Sequence, residues 1–130
     1  MIKLSFQQWL EFNEQEETIR LFHGTDAQSA DNIAKHGLSA LGAGEFNAAG
    51  EFWASPKSNY AYWFAKTNPR GIEEIALVSF EIPKKVLRYI FKNNLGHKHS
   101  PVEFEFTPAS FKLINSHMTN AKVEPAEAMA

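Results

Sequence analysis

Apolar and polar positions alternate along this chain in short blocks with two different periods, which predicts a small mixed fold. The run Thr18-Ile19-Arg20-Leu21-Phe22-His23 reads as a strand over 18–23. The next block, 26–36, places Ala30, Ile33 and Ala34 on one helical face and stops at Gly37. A strand is predicted over 51–55 and ended by Pro56. A helix capped by Ser58 follows, with Tyr60, Ala61, Phe64 and Ala65 on its inner face. Residues 75–82 alternate as a strand, and Pro83 opens a helical piece of one to two turns through Val86 and Leu87. Two last strands are expected over 102–106 and 111–114, joined through Pro108. The remaining segments read as connections: 39–50, rich in Ala and Gly; the turn Asn68-Pro69-Arg70-Gly71; and the polar stretch 92–101.

Ahead of these blocks, Ser5 with Gln8 forms a capping box and Leu4 with Trp9 a staple, so a short helix is expected over 5–14. The organisation predicted is a helix within 1–17 packed on the domain, one α+β domain over 18–118, and a frayed tail over 119–130. A chain of 130 residues leaves little room for a second domain.

A formal charge of −2 without a basic run disfavours nucleic-acid wrapping or docking on an anionic membrane. The absence of cysteine removes disulfides and thiolate chemistry and suits a reducing compartment. With no apolar run of membrane-spanning length and no secretory pattern at its start, the chain is expected in the cytoplasm.

Chemistry concentrates at three places. His23-Gly24-Thr25 puts an imidazole where a strand gives way to a turn, and Gly24 allows close approach to the backbone. Gly50-Glu51-Phe52-Trp53-Ala54-Ser55 is an aromatic strand leading to the helix with Tyr60 and Trp63. Val102-Glu103-Phe104-Glu105-Phe106 sets two carboxylates two residues apart, hence on one face. The pair His97 and His99 has the spacing of a metal chelate. No further ligands are marked nearby, so a solvated loop is the reading preferred and no metal is expected.

In this order the three places resemble the ADP-ribosyltransferase fold, in its diphtheria-toxin-like and poly(ADP-ribose)-polymerase-like His-Tyr-Glu branch. The resemblance implies split antiparallel sheets flanking an NAD cleft. His23, Gly24 and Thr25 would hold the ribose and the nicotinamide amide, with Ser55 in the same cleft. Phe52 would stand where the family has tyrosine and, with Tyr60 or Trp63, sandwich the nicotinamide ring. Glu103 would be catalytic, since it begins a strand at the family's place with an apolar strand from Phe111 following at a similar distance, and Glu105 would be an alternative or assisting carboxylate. Tyrosine at position 52 would then be neutral or activating. The implied activity is mono-ADP-ribosyl transfer from NAD, as co-substrate, to a macromolecule. A protein acceptor comes first and nucleic acid stays open; oligomeric state is not implied. Small enzymes of this kind often serve as toxins or effectors. The alternative is a silent NAD- or ADP-ribose-binding module on the same fold. An RNA 2′-phosphotransferase or nuclease built on His23 would need a basic groove, against the acidic balance.

Overall fold

The computed structural model describes residues 17–39, 51–67 and 74–125. Two three-stranded antiparallel sheets and four α-helices make a mixed α+β architecture among these residues. The first sheet has the order β1-β3-β6, with β1 at Thr18–Thr25, β3 at Ala76–Pro83 and β6 at Thr119–Pro125. The second has the order β2-β5-β4, with β2 at Phe52–Ala54, β4 at Gly96–Ser100 and β5 at Glu103–Phe106. The helices are α1 (Ala27–His36), α2 (Ser58–Thr67), α3 (Lys84–Lys92) and α4 (Phe111–His117).

The main core lies where the inner faces of the two sheets meet. Leu21, Phe80 and Ile82 come from the first sheet, and Phe52, Phe104 and Phe106 from the second. Val86 and Ile90 of α3 and Phe111 and Ile114 of α4 close it. In β5 the pleat sends Phe104 and Phe106 inward and leaves Glu103 and Glu105 on the opposite face. The backbones of the two sheets meet beside His23. Phe22 and Ser55 exchange backbone hydrogen bonds of 2.8 and 3.0 Å, which hold the end of β2 against β1.

Local chemistry explains the helix ends near this junction. Asp26 caps α1, its Oδ1 accepting the Ser29 N–H at 2.7 Å, and Gly37 ends the helix at a φ of 79°. Gly24 has a different reason to be glycine. A Cβ there would lie 2.7 Å from both the Ala61 carbonyl oxygen and the Ala65 Cβ, so its absence lets α2 lie directly on β1.

The strands expected near 18–23, 51–55, 75–82 and 102–106 and the helices after His23 and Pro56 are present, with ends moved by a few residues. Four expectations are corrected. Residues 111–114 belong to helix α4, not to a strand, because Phe111 and Ile114 are three apart and both face the core. The apolar strand expected to follow Glu103 from Phe111 is therefore absent, and a helix stands in its place. The polar stretch 92–101 contains β4, held by its ladder to β5. The tail expected to fray from 119 instead supplies β6, paired with β3 from Ala76↔Pro125 to Glu81↔Thr119. Finally, Ser58 begins α2 as its first residue; the hydroxyl that accepts a local N–H is that of Ser55, from Lys57 at 3.0 Å. The helix expected over 5–14, the turn 68–71 and most of the loop 39–50 lie outside the described residues.

Candidate functional site

The outer face of the second sheet carries the chemistry. Its strands put Trp53 across from Glu105 and His97 across from Glu105 on the other side, so one row runs β2, β5, β4. Helix α2 lies beside this row and contributes Tyr60, Trp63 and Phe64. Tyr60 and Phe64 are four residues apart and so share a helical face.

Tyr60 reaches Glu103. Its phenol donates to Glu103 Oε2 at 2.5 Å, and this bond to a carboxylate, with desolvation second, pushes the phenol pKa up to about 12. Tyr60 is thus a protonated donor throughout the neutral range and fixes the orientation of one carboxylate oxygen. The other oxygen, Oε1, has no hydrogen-bond partner among the described residues.

A row of rings extends from this bond. Tyr60 lies 5.7 Å from Trp63 and 6.4 Å from Phe64, centroid to centroid; Phe64 stacks on Trp53 at 6.2 Å. Trp53 in turn stacks on His99 at 4.9 Å with planes 21° apart. Trp63 is 54% exposed and Phe64 37%, so an aromatic surface borders the carboxylates. His99 Nε2 meets Glu105 Oε1 at 2.7 Å.

His23 belongs to the same assembly from below. Its Nδ1 lies 2.6 Å from the Trp53 carbonyl oxygen, and its ring rests on Phe52 with centroids 4.3 Å apart. Burial disfavours the cation and lowers the pKa to about 4, against the smaller raising effects of that carbonyl and of Asp26. At neutral pH the ring is uncharged. Nδ1 then carries the proton donated to Trp53, and Nε2 keeps a lone pair with no partner among the described residues.

Of the residues singled out in the sequence, Tyr60 and Glu103 are in direct contact, and Trp63 adjoins them. Gly24 is taken up by packing against α2. Thr25 is buried, its hydroxyl without a hydrogen-bond partner among the described residues. Ser55 is buried and its hydroxyl serves the turn into α2. Phe52 is corrected: at 1% exposure, packed on His23, Phe80 and Phe106, it is a core side chain and offers no face for stacking a ligand. Trp53, its neighbour on the other side of the pleat, is the strand aromatic that faces the carboxylates. The β5 pattern signals this, since Phe104 and Phe106 alternate with Glu103 and Glu105 and Trp53 pairs with a glutamate. Phe64, expected on the inner face of its helix, lies in the exposed ring row instead. His97 and His99 stand on an edge strand, not in a loop. Among the described residues no group of three or more histidine, cysteine or carboxylate side chains is placed to hold a metal ion. Nor, among them, is any helix long and apolar enough to cross a membrane.

No protein-family profile, curated protein or solved structure matches the chain.

Proposed function

We propose that this chain is a mono-ADP-ribosyltransferase, which transfers ADP-ribose from NAD to a macromolecular acceptor and releases nicotinamide. The contact between Tyr60 and Glu103 carries the reading. A helix tyrosine and a strand glutamate, forty-three residues apart, meet at 2.5 Å beside an exposed aromatic surface. That combination suits a substrate with a flat cationic ring next to a ribose.

In this reading NAD is a substrate and the carboxylate acts on its ribose. Nicotinamide leaves from a cationic nitrogen, so the departure needs no acid. What it needs is a negative group near the positive charge growing on the ribose. Glu103 supplies that group, and its Oε1 is the oxygen left to accept a ribose hydroxyl. Tyr60 holds the carboxylate in place and, with Trp63, offers ring faces for the nicotinamide. Neutral His23 contributes Nε2 as an acceptor for a second sugar hydroxyl. Gly24 and Thr25 continue β1 beyond His23, paired with Leu77 and Ala76, and so hold the histidine on a strand.

The silent NAD-binding module remains the second reading, favoured by one observation: the place of the family's strand tyrosine holds Phe52, which has no hydroxyl and is buried. The deciding experiment incubates the protein with NAD labelled in its adenylate part and a cell lysate, beside Glu103→Gln. Label on a macromolecule with wild type alone supports transfer. Saturable NAD binding without nicotinamide release gives the second reading, and absence of both removes the two together.

A further inference from the structure

The pair His99 and Glu105 lies next to Glu103 but takes no part in the step assigned to it. Glu105 follows Glu103 by two residues on the same face of β5, about 7 Å further along the strand. The Glu105 side chain is 13% exposed and that of His99 42%, so a shielded carboxylate backs an accessible imidazole. Their bond is 2.7 Å between Nε2 and Oε1. Trp53 fixes the ring plane by stacking on it at 4.9 Å. With Nε2–H donated to the carboxylate, the neutral ring carries its lone pair on Nδ1, which has no partner among the described residues. This is the layout of a general base with its orienting carboxylate.

We infer that His99, oriented by Glu105, is the general base that deprotonates the incoming acceptor, and that the acceptor group is a hydroxyl or amide with a proton to lose. The inference rests on the transferase reading above. The nicotinamide–ribose bond breaks with its electron pair going to the pyridinium nitrogen. A lone pair of the acceptor forms the new bond to the same ribose carbon. The acceptor proton passes to His99 Nδ1, and the imidazolium so formed lies against the Glu105 carboxylate. Water is the simplest such acceptor, giving free ADP-ribose. His99 is the catalytic residue of this half of the reaction and Glu105 a positioning residue. Among the described residues, the titratable and charged groups around His99 are Glu105 and Glu103 on β5, His97 and Lys98 on its own strand, and Tyr60 on α2.

The test uses the full chain with NAD and two nucleophiles, water and azide. Azide is already an anion and needs no base. His99→Gln should lower nicotinamide release in water by about 10²-fold. Azide should restore release to the wild-type rate, with ADP-ribosyl azide as product. Glu105→Gln should show a smaller loss with the same rescue, whereas damage to the fold would not be repaired by azide. Release in water that His99→Gln leaves unchanged, or a loss that azide does not repair, overturns the base assignment while the transferase reading stands. If wild type releases no nicotinamide with water, azide or the lysate, the transferase reading falls and the assignment with it. Where the lysate alone supports release, a His99→Gln loss smaller than about tenfold there overturns the base assignment.

Discussion

The side chain of His23 is tied to the backbone of Trp53, with Nδ1 2.6 Å from the carbonyl oxygen. One bond thus joins the first sheet to the strand whose next face bears the exposed ring row. It also fixes the tautomer, because a neutral imidazole that donates from Nδ1 can only accept at Nε2.

Acid should therefore act on the fold through this residue. The folded pKa of about 4 lies below the ordinary 6.5, so the unfolded chain takes up this proton first. The contribution of this residue is present in full well above pH 6.5 and is lost as the pH drops from 6.5 to about 4, by up to about 3 kcal/mol. Urea unfolding of wild type and His23→Gln across that window measures the difference. The glutamine keeps a donor for Trp53 and should lack this component of the acid loss.

The bond between Tyr60 and Glu103 has a signature independent of activity. Of the three tyrosines, one should resist ionisation until about pH 12 in a spectrophotometric titration. Tyr60→Phe should delete that late component. Glu103→Gln should move it back toward 10, the ordinary phenol value, because the largest raising cause is gone. A late component that survives Tyr60→Phe would belong to another tyrosine and refute the contact.

Phe52→Tyr should destabilise. The ring is enclosed by His23, Phe80 and Phe106, and a hydroxyl added there enters the apolar core at a cost of about 1–3 kcal/mol. Denaturant midpoints of wild type and variant check this. A neutral result would mean that the ring edge has access to water or to a polar group.

Gly24→Ala tests the seat of α2. The added carbon would lie 2.7 Å from the Ala61 carbonyl oxygen, which is backbone and cannot swing aside. The expected loss is about 1–3 kcal/mol, and displacement of α2 should also draw Tyr60 away from Glu103. A fall in both the thermal midpoint and the late tyrosine component would show the coupling. Loss of stability with the tyrosine signal intact would confine the effect to packing.

The parts of this fold readable from the chain are those whose apolar positions repeat with one clear period. Ile19 and Leu21 follow the strand period, and Ala30, Ile33 and Ala34 the helical one. The run Phe111-Lys112-Leu113-Ile114 fits either period over so short a length, and contact with the core at Phe111 and Ile114 decides for helix. Strands β4 and β6 had no pattern to read. Both lie at sheet edges, where His97, Lys98, His99, Lys122 and Val123 are exposed and pairing alone defines the strand. The site was legible in its residue types and less so in its directions. Glu103 and Tyr60 could be named from the chain, but choosing Trp53 over Phe52 requires knowing which side of the pleat each strand turns inward. The partnership of His99 with Glu105 depends in turn on the β4–β5 pairing, which no local signal announces.

The exchange of hydrogen bonds between Phe22 and Ser55 has a mechanical meaning. It stitches the two sheets together one residue from His23 and two from Trp53 along the chain. A change in the angle between the sheets must strain that seam, and the imidazole tied to Trp53 moves with it. The protection of the Phe22 and Ser55 amides against hydrogen exchange is thus a gauge of how far the two halves breathe.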